Sequence, residues 1–292
     1  MDQAEQLRNV IKMRNQNNIQ TARVITITSG KGGVGKSNTA VNLAIWLRKA
    51  GKRVIIFDAD SGLANIEVMF GAIPKYNLSD LIYNGRTMKE IITPGPMDIG
   101  FISGGSGILG LNNLYREQIM YLVKSIGELN ELADYIIIDT GAGISDHVLE
   151  FVVASPEVLL IATPEPSSLT DSYSLLKALF KNPGFNPDKT TVQVIANKVH
   201  SAEDAQNVYD KLNSVVAQFL HGSLNYLGMI PQDATLEKAV RQQKTVSLYE
   251  PNSNSAKAFE RLASNLLEGT HEQAQMKWGI SQIFSSFLNR RG

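Results

Sequence analysis

The feature that most constrains this chain is a glycine-rich loop at residues 29–37, which reads Ser-Gly-Lys-Gly-Gly-Val-Gly-Lys-Ser. A β-branched run at residues 24–28 precedes the loop, and residues 38–47 after it carry apolar side chains at helical spacing. This order of strand, loop and helix is the context that a phosphate-binding loop requires. The sequence therefore predicts a nucleotide-binding site where a buried strand ends.

The residue types of the loop suit phosphate binding. Its glycines allow successive backbone amides to face phosphate oxygens, and the N-terminus of the following helix adds positive partial charge. We expect Lys36 to neutralise the β- and γ-phosphates and the Ser37 hydroxyl to bind Mg2+. The predicted nucleotide-binding residues of the loop are Gly30, Lys31, Gly32, Gly33, Val34, Gly35, Lys36, Ser37 and Asn38.

A second lysine, Lys31, stands five positions before Lys36. With this lysine the loop resembles the deviant Walker A box of the ParA/MinD family of ATPases. In that family the early lysine reaches across a dimer interface to the nucleotide of the facing subunit. The resemblance therefore implies a homodimer that forms when ATP is bound, with Lys31 and Lys36 among its catalytic residues.

Strand-like apolar runs alternate with helical stretches along the chain. They lie at residues 53–57, 98–102, 135–138, 158–162, 191–196 and 224–230. This alternation predicts an α/β fold with a mostly parallel, doubly wound sheet and helices on both faces. The resemblance implies the same architecture, a P-loop NTPase of the SIMIBI type. Ligands of such sheets bind at the carboxyl ends of the strands.

The composition excludes several functional classes. The 292 residues carry a formal net charge of zero, which disfavours a nucleic acid partner. The chain has no cysteine, which excludes disulfides, thiolate metal sites and cysteine-bound iron–sulfur clusters. Because no apolar run is long enough to span a bilayer and the polar N-terminus is no secretory signal, we expect a cytoplasmic protein.

Acidic residues follow two of the predicted strands. Asp58 and Asp60 come directly after the second strand, and Asp139 follows residues 135–138. Such carboxylates suit magnesium and water chemistry, although helix capping or an Asx turn is the structural alternative. The resemblance assigns Asp60, in switch I, to the attacking water, and we expect Asp58 to support metal-bound waters. It makes Asp139 a Mg2+-binding residue at the start of switch II.

Three residues near the ends of the last strands are candidates for adenine binding. The Asn197 amide can offer both a donor and an acceptor to a base, and it resembles the base-contacting asparagine of the family. Pro231 and Asp233 match a second base-proximal segment, in which backbone groups usually make the contacts. Residues 197–200 lack the aspartate that completes a guanine-specific motif, which favours ATP over GTP.

The apolar spacing of residues 271–292 predicts an amphipathic helix with basic flanking residues. Its apolar face would comprise Ile280, Ile283, Phe284, Phe287 and Leu288. Such a helix suits reversible binding to an anionic membrane surface, here the inner face of the cell membrane. The alternative is an ordinary terminal helix that packs on the domain, and a helix that docks in one state and is released in another would combine the two.

Residues 1–20 are polar and precede the ATPase domain predicted at residues 21–270. The start Asp-Gln-Ala-x-x-Leu-Arg resembles the FlhG family, also called YlxH or FleN, which regulates flagellum number and placement. This resemblance implies that Gln3, supported by Leu7 and Arg8, stimulates an FlhF-type GTPase, and that flagellar switch (C-ring) proteins are further partners. A disordered tail is the alternative.

Other functions remain open within the same fold. A MinD-type regulator of the division site is one, although Ala64 and Glu67 stand where MinD proteins tend to carry arginine and aspartate. A ParA-type partition ATPase would bind DNA through a basic dimer surface, with steep salt dependence. A scaffold that binds ATP without turnover would leave Asp60 and Asp139 idle. A tyrosine kinase is excluded because no tyrosine follows Tyr249.

Overall fold

The computed structural model describes residues 21–60, 65–105, 116–269 and 280. The strands are β1 (Arg23–Thr28), β2 (Val54–Ala59), β3 (Thr93–Pro94), β4 (Gly100–Ser103), β5 (Tyr135–Thr140), β6 (Glu157–Ala162), β7 (Thr191–Val199) and β8 (Asn225–Pro231). The helices are α1 (Lys36–Lys49), α2 (Asn65–Phe70), α3 (Leu78–Tyr83), α4 (Met88–Ile91), α5 (Arg116–Gly127), α6 (Leu129–Leu132), α7 (Asp146–Ala154), α8 (Pro166–Phe180), α9 (Ala202–Leu220), α10 (Ala234–Arg241), α11 (Val246–Tyr249) and α12 (Asn254–Glu268), with a 3-10 turn at Pro96–Asp98.

The strands form one sheet in the order β3-β4-β2-β5-β1-β6-β7-β8. Every pair is parallel except β3 with β4 at one edge. The predicted doubly wound, mostly parallel sheet is therefore confirmed. The two-residue strand β3 was absent from the sequence prediction, because so short a run carries no recognisable period.

Both faces of the sheet are buried, as β5 illustrates. Ile137 belongs to the apolar cluster under α1 and α12, whereas Ile136 and Ile138 belong to a second cluster on the opposite face. All three side chains are at most 1% exposed. Successive strand residues point to opposite faces, so a continuous apolar run serves two cores.

Ile280, of the predicted membrane helix, belongs to the second cluster and has 0% of its side chain exposed. The cluster also contains Leu122 and Ile126 of α5. The docked arrangement of this position is therefore the one present in the structure. Among the residues described, every helix is too short or too polar to cross a lipid bilayer.

A buried ion pair joins the amino ends of the central strands. The Arg23 guanidinium donates to both carboxylate oxygens of Glu157, at 2.7 and 2.8 Å, and to the carbonyl of Leu266 near the end of α12, at 2.5 Å. Glu157 is only 3% exposed and also accepts from Gln193. Arg23 thus neutralises a buried carboxylate and attaches α12 to the sheet.

We predict that Arg23→Met lowers the free energy of unfolding by about 3 kcal/mol, because it leaves Glu157 buried without a counter-charge. Chemical denaturation would measure the change. The matched control is Arg53→Met, which breaks a solvent-exposed pair with Asp134 and should cost at most about 1 kcal/mol. Equal costs for the two variants would contradict the importance assigned to burial.

Candidate nucleotide site

The glycine-rich loop joins β1 to α1 and is shaped for an anion. Gly33 and Gly35 have φ angles of 75° and 102°, a region that disfavours residues with a Cβ atom. Gly35 is the N-cap of α1, and no side chain caps that helix. The first backbone amides of α1 are therefore free to donate to a ligand, which agrees with the predicted phosphate site.

The register of the sheet brings the two strand-end carboxylates together. Asp58 on β2 pairs directly with Asp139 on β5, and Asp139 pairs with Ile27 on β1, just before the loop. Asp58 is 2% exposed and Asp139 is 0% exposed. Burial raises the pKa of Asp139 to about 7, with the Ser37 hydroxyl and Lys36 acting in the opposite direction.

Asp58 has an even higher pKa. Burial, reinforced by the charge of Asp139, raises its pKa to about 8, although the Asp60 amide donates to one of its oxygens at 3.1 Å. Lys36 lies in the same environment and is 8% exposed. Burial lowers the pKa of its ammonium, while the charges of Asp139 and Asp60 act to raise it.

The buried carboxylates fit a magnesium ion shared with phosphates. Neither oxygen of Asp139 has a hydrogen-bond partner of good geometry, an arrangement that costs free energy unless a cation completes it. No group of three or more His, Cys, Asp or Glu side chains within the described ranges could hold a metal by itself. The missing ligands would therefore come from the nucleotide, water and Ser37.

Asp60 lies beside residues 141–143, which follow Asp139 and form the predicted switch II segment. A Cβ atom placed on Gly141 would be 3.7 Å from the nearest Asp60 carboxylate oxygen, so the two segments approach closely. The Gly143 amide in turn donates to the carbonyl of Ser29 at 2.9 Å. Residues 61–64, the rest of the predicted switch I motif, lie outside the described part of the chain.

Lys31 sits at the rim of the loop and is paired within its own chain. Its ammonium donates to the Glu165 carboxylate at 2.8 Å and to the Ser167 hydroxyl at 2.7 Å. The hydrogen bond and charge of Lys31, with a contribution from Lys198, hold the pKa of Glu165 below its ordinary value. Sequence reasoning missed Glu165 and Ser167, although Glu165 directly precedes the proline that begins α8.

Asn197 contacts the loop itself. Its Nδ2 atom donates to the carbonyl of Val34 at 2.7 Å, and its Oδ1 atom accepts from the Lys198 amide at 2.8 Å. The second N–H group of Nδ2 and the second lone pair of Oδ1 remain available to contact a base. Asn197 thus has a structural role that sequence reasoning did not predict.

The second predicted adenine segment lies at the end of β8. Pro231 is the last residue of that strand, and Asp233 caps α10 by accepting from the Thr235 amide. The other Asp233 oxygen accepts from the amide and hydroxyl of Ser255. The carboxylate therefore links α10 to α12.

Several predicted residues lie outside the described part of the chain. They are Gln3, Leu7 and Arg8 of the N-terminal segment and Ile283, Phe284, Phe287 and Leu288 of the C-terminal helix. The segment boundaries at residues 20 and 271 remain predictions.

Comparison with known proteins identifies the family of this chain. Residues 25–246 match the model of the CobQ/CobB/MinD/ParA nucleotide binding domain, which spans the sheet from β1 to the start of α11. The chain belongs to this family. The match covers the loop, both strand-end acids and Asn197.

Two curated relatives place the chain more narrowly. It is 37% identical to the antiactivator FleN of Pseudomonas aeruginosa over 87% of this chain and 89% of FleN. It is 34% identical to the flagellum site-determining protein YlxH of Helicobacter pylori over 100% of this chain and 99% of YlxH. Within the MinD/ParA family, the chain is a FleN/YlxH-type member.

A solved structure shares the fold. The septum site-determining protein MinD of Pyrococcus horikoshii, in complex with Mg-ADP, superposes with a TM-score of 0.66 and 23% identity. The superposition covers 87% of this chain and 99% of that one. The likeness confirms the predicted P-loop NTPase architecture.

We predict that Asp58→Asn stabilises the nucleotide-free protein, and more so at pH 8 than at pH 5. Because the folded-state pKa is raised to about 8, the unfolded chain ionises first, and the penalty grows from about pH 4 to pH 8. The gain should be larger at pH 8 by on the order of 2 kcal/mol, measured by denaturation at both pH values.

Asp134→Asn is the matched control. The Arg53 hydrogen bond holds the pKa of Asp134 below its ordinary value, so this carboxylate stabilises the fold above about pH 4. Its loss should therefore destabilise the protein equally at pH 5 and pH 8. A gain from Asp58→Asn that does not change between the two pH values would contradict the raised pKa of Asp58.

Proposed function

We propose that this protein is a magnesium-dependent ATPase that dimerises on ATP, associates reversibly with the inner membrane surface and regulates the number or placement of flagella. The observation that carries the proposal is the convergence of Lys36, Asp60 and Asp139 on one edge of the sheet, with Lys31 at the rim of the adjoining loop. The similarity to FleN and YlxH supports the flagellar role.

The residues divide the chemistry between them. Lys36, the amides of the loop and the first turn of α1 bind the phosphates, and Ser37 and Asp139 would hold Mg2+. When bound, Mg2+ neutralises charge on the β- and γ-phosphate oxygens. Asp60 orients the attacking water by accepting a hydrogen bond from it, and Asp58 supports metal-bound waters. We expect ATP hydrolysis to be slow until a partner stimulates it.

Lys31 connects hydrolysis to dimerisation. In the structure its ammonium is held within its own chain by Glu165 and Ser167. Its side chain is 35% exposed, and that of Glu165 is 55% exposed, so exchanging this ion pair for a phosphate of the facing subunit costs little free energy. Lys31 is therefore available to an ATP-bound homodimer.

The terminal segments would carry the regulation. Membrane binding requires that Ile280 leave the apolar cluster in which it is buried, so the state with Ile280 docked would correspond to the cytoplasmic form. Two helices presented by one dimer would bind an anionic membrane more strongly than one. The segment around Gln3 would stimulate an FlhF-type GTPase, and flagellar switch (C-ring) proteins would be further partners.

We predict that Asp60→Ala traps an ATP-bound dimer because the attacking water is no longer positioned. Sedimentation velocity with Mg-ATP should show a dimer that persists for hours, whereas the parent protein returns to monomer as ATP is consumed. Lys31→Ala should remain monomeric, and Lys211→Ala, an exposed lysine of α9, should behave as the parent does. Dimerisation of Lys31→Ala would contradict the role of Lys31 across the interface.

We predict ATP-dependent binding to liposomes that contain anionic lipid. Co-sedimentation should be prolonged by Asp60→Ala and abolished by truncation after His271, since the truncation removes the amphipathic helix. Neutral liposomes are the control for the charge requirement. Failure of every form to bind would restrict the C-terminal helix to packing on the domain.

A cell-based count tests the flagellar role. Deleting the gene in its own host should change the number or position of flagella, and the parent gene, but not the Lys31→Ala form, should restore them. A change in division-site placement instead would favour the MinD-type function. Salt-sensitive binding of the ATP-bound form to DNA would favour the ParA type.

A further inference from the structure

Two side chains near the end of β7 donate hydrogen bonds to the phosphate loop. Asn197 donates to the carbonyl of Val34 at 2.7 Å, and the Lys198 ammonium donates to the carbonyl of Gly33 at 3.0 Å. Two consecutive side chains of one strand thus bind two consecutive carbonyls of the loop. The Lys198 amide also donates to Asn197, which fixes the orientation of the asparagine.

The backbone at Lys198 departs from regular strand geometry. Its φ angle is +57°, in the left-handed region that residues with side chains adopt at a cost in free energy. The pairing of β7 with β8 shifts register between Asn197 and Val199, so Lys198 occupies a bulge. Bulges beside functional sites commonly redirect a side chain, and here the bulge presents Lys198 to the loop.

The two held carbonyls control the direction of two amides. In a planar trans peptide the C=O and N–H bonds point in opposite directions. Fixing the carbonyls of Gly33 and Val34 toward β7 therefore turns the amides of Val34 and Gly35 away from β7, as a phosphate-binding nest requires. Gly35 must lack a Cβ atom, since one would collide with the Asn197 amide.

We propose that Lys198 is a positioning residue that preorganises the phosphate loop for the nucleotide, together with Asn197. Its ammonium binds the loop carbonyl of Gly33 and acts on the nucleotide through the loop. This inference rests on the proposed nucleotide binding and adds a third lysine, besides Lys31 and Lys36, to the determinants of affinity.

Three variants of the full-length chain test the proposal. Lys198→Asn keeps a residue that tolerates positive φ but cannot reach Gly33. Lys198→Arg keeps a long cationic donor, and Lys211→Asn removes an exposed lysine of α9 as the control. The measurements are calorimetric titration with Mg-ADP, amide hydrogen exchange of residues 30–36 without nucleotide, and the melting temperature without nucleotide.

We expect Lys198→Asn to weaken Mg-ADP binding about three- to tenfold and to speed exchange at Val34 and Gly35, with the melting temperature unchanged. Lys198→Arg should recover most of both losses. Parent-like affinity and exchange in Lys198→Asn would overturn the proposal. So would a lowered melting temperature that Lys198→Arg does not restore, because the role would then be structural only. A parent protein that fails to bind Mg-ADP would overturn the proposed function and this inference with it.

Discussion

The nucleotide site depends on the parallel register of β1, β5 and β2. This register places Asp58 beside Asp139 and starts the phosphate loop one strand away. The result is a buried cluster of two carboxylates. Burial raises the pKa of both acids, and it lowers the pKa of Lys36, the cation that acts on Asp139. Burying ionised carboxylates costs free energy, and under the proposed function a divalent cation bound with the nucleotide would offset that cost.

The phosphate loop is held on three sides by other elements. Gly143 of the switch II segment donates to Ser29, the tip of β7 binds Gly33 and Val34, and α8 lies against Gly30. A Cβ atom at Gly30 would collide with the backbone of α8 at Asp171 and Ser172. Switch II and α8 therefore both contact the loop whose amides would bind phosphate.

Ile280 packs in the same apolar cluster as residues that adjoin the nucleotide site. Ile280 lies in the cluster that also contains Phe57 and Ile138, the residues that directly precede Asp58 and Asp139. Under the proposed function, release of the C-terminal helix would loosen packing immediately behind the two site acids. Ile280 is far from Phe57 and Ile138 in the sequence, and only the packing of the second cluster places them together.

Local sequence by itself determined every strand described except β3, together with the phosphate loop and the acids at the strand ends. The backbone preferences of glycines and of β-branched runs, and the positive charge of Lys36, are properties of the residues themselves. Tertiary structure decided the partners of Lys31, the hydrogen bond from Lys198 to Gly33, the link from Asp233 to Ser255 and the burial of Ile280. These contacts join residues far apart in the chain, and their energies come from burial and geometry that exist only once the sheet has formed.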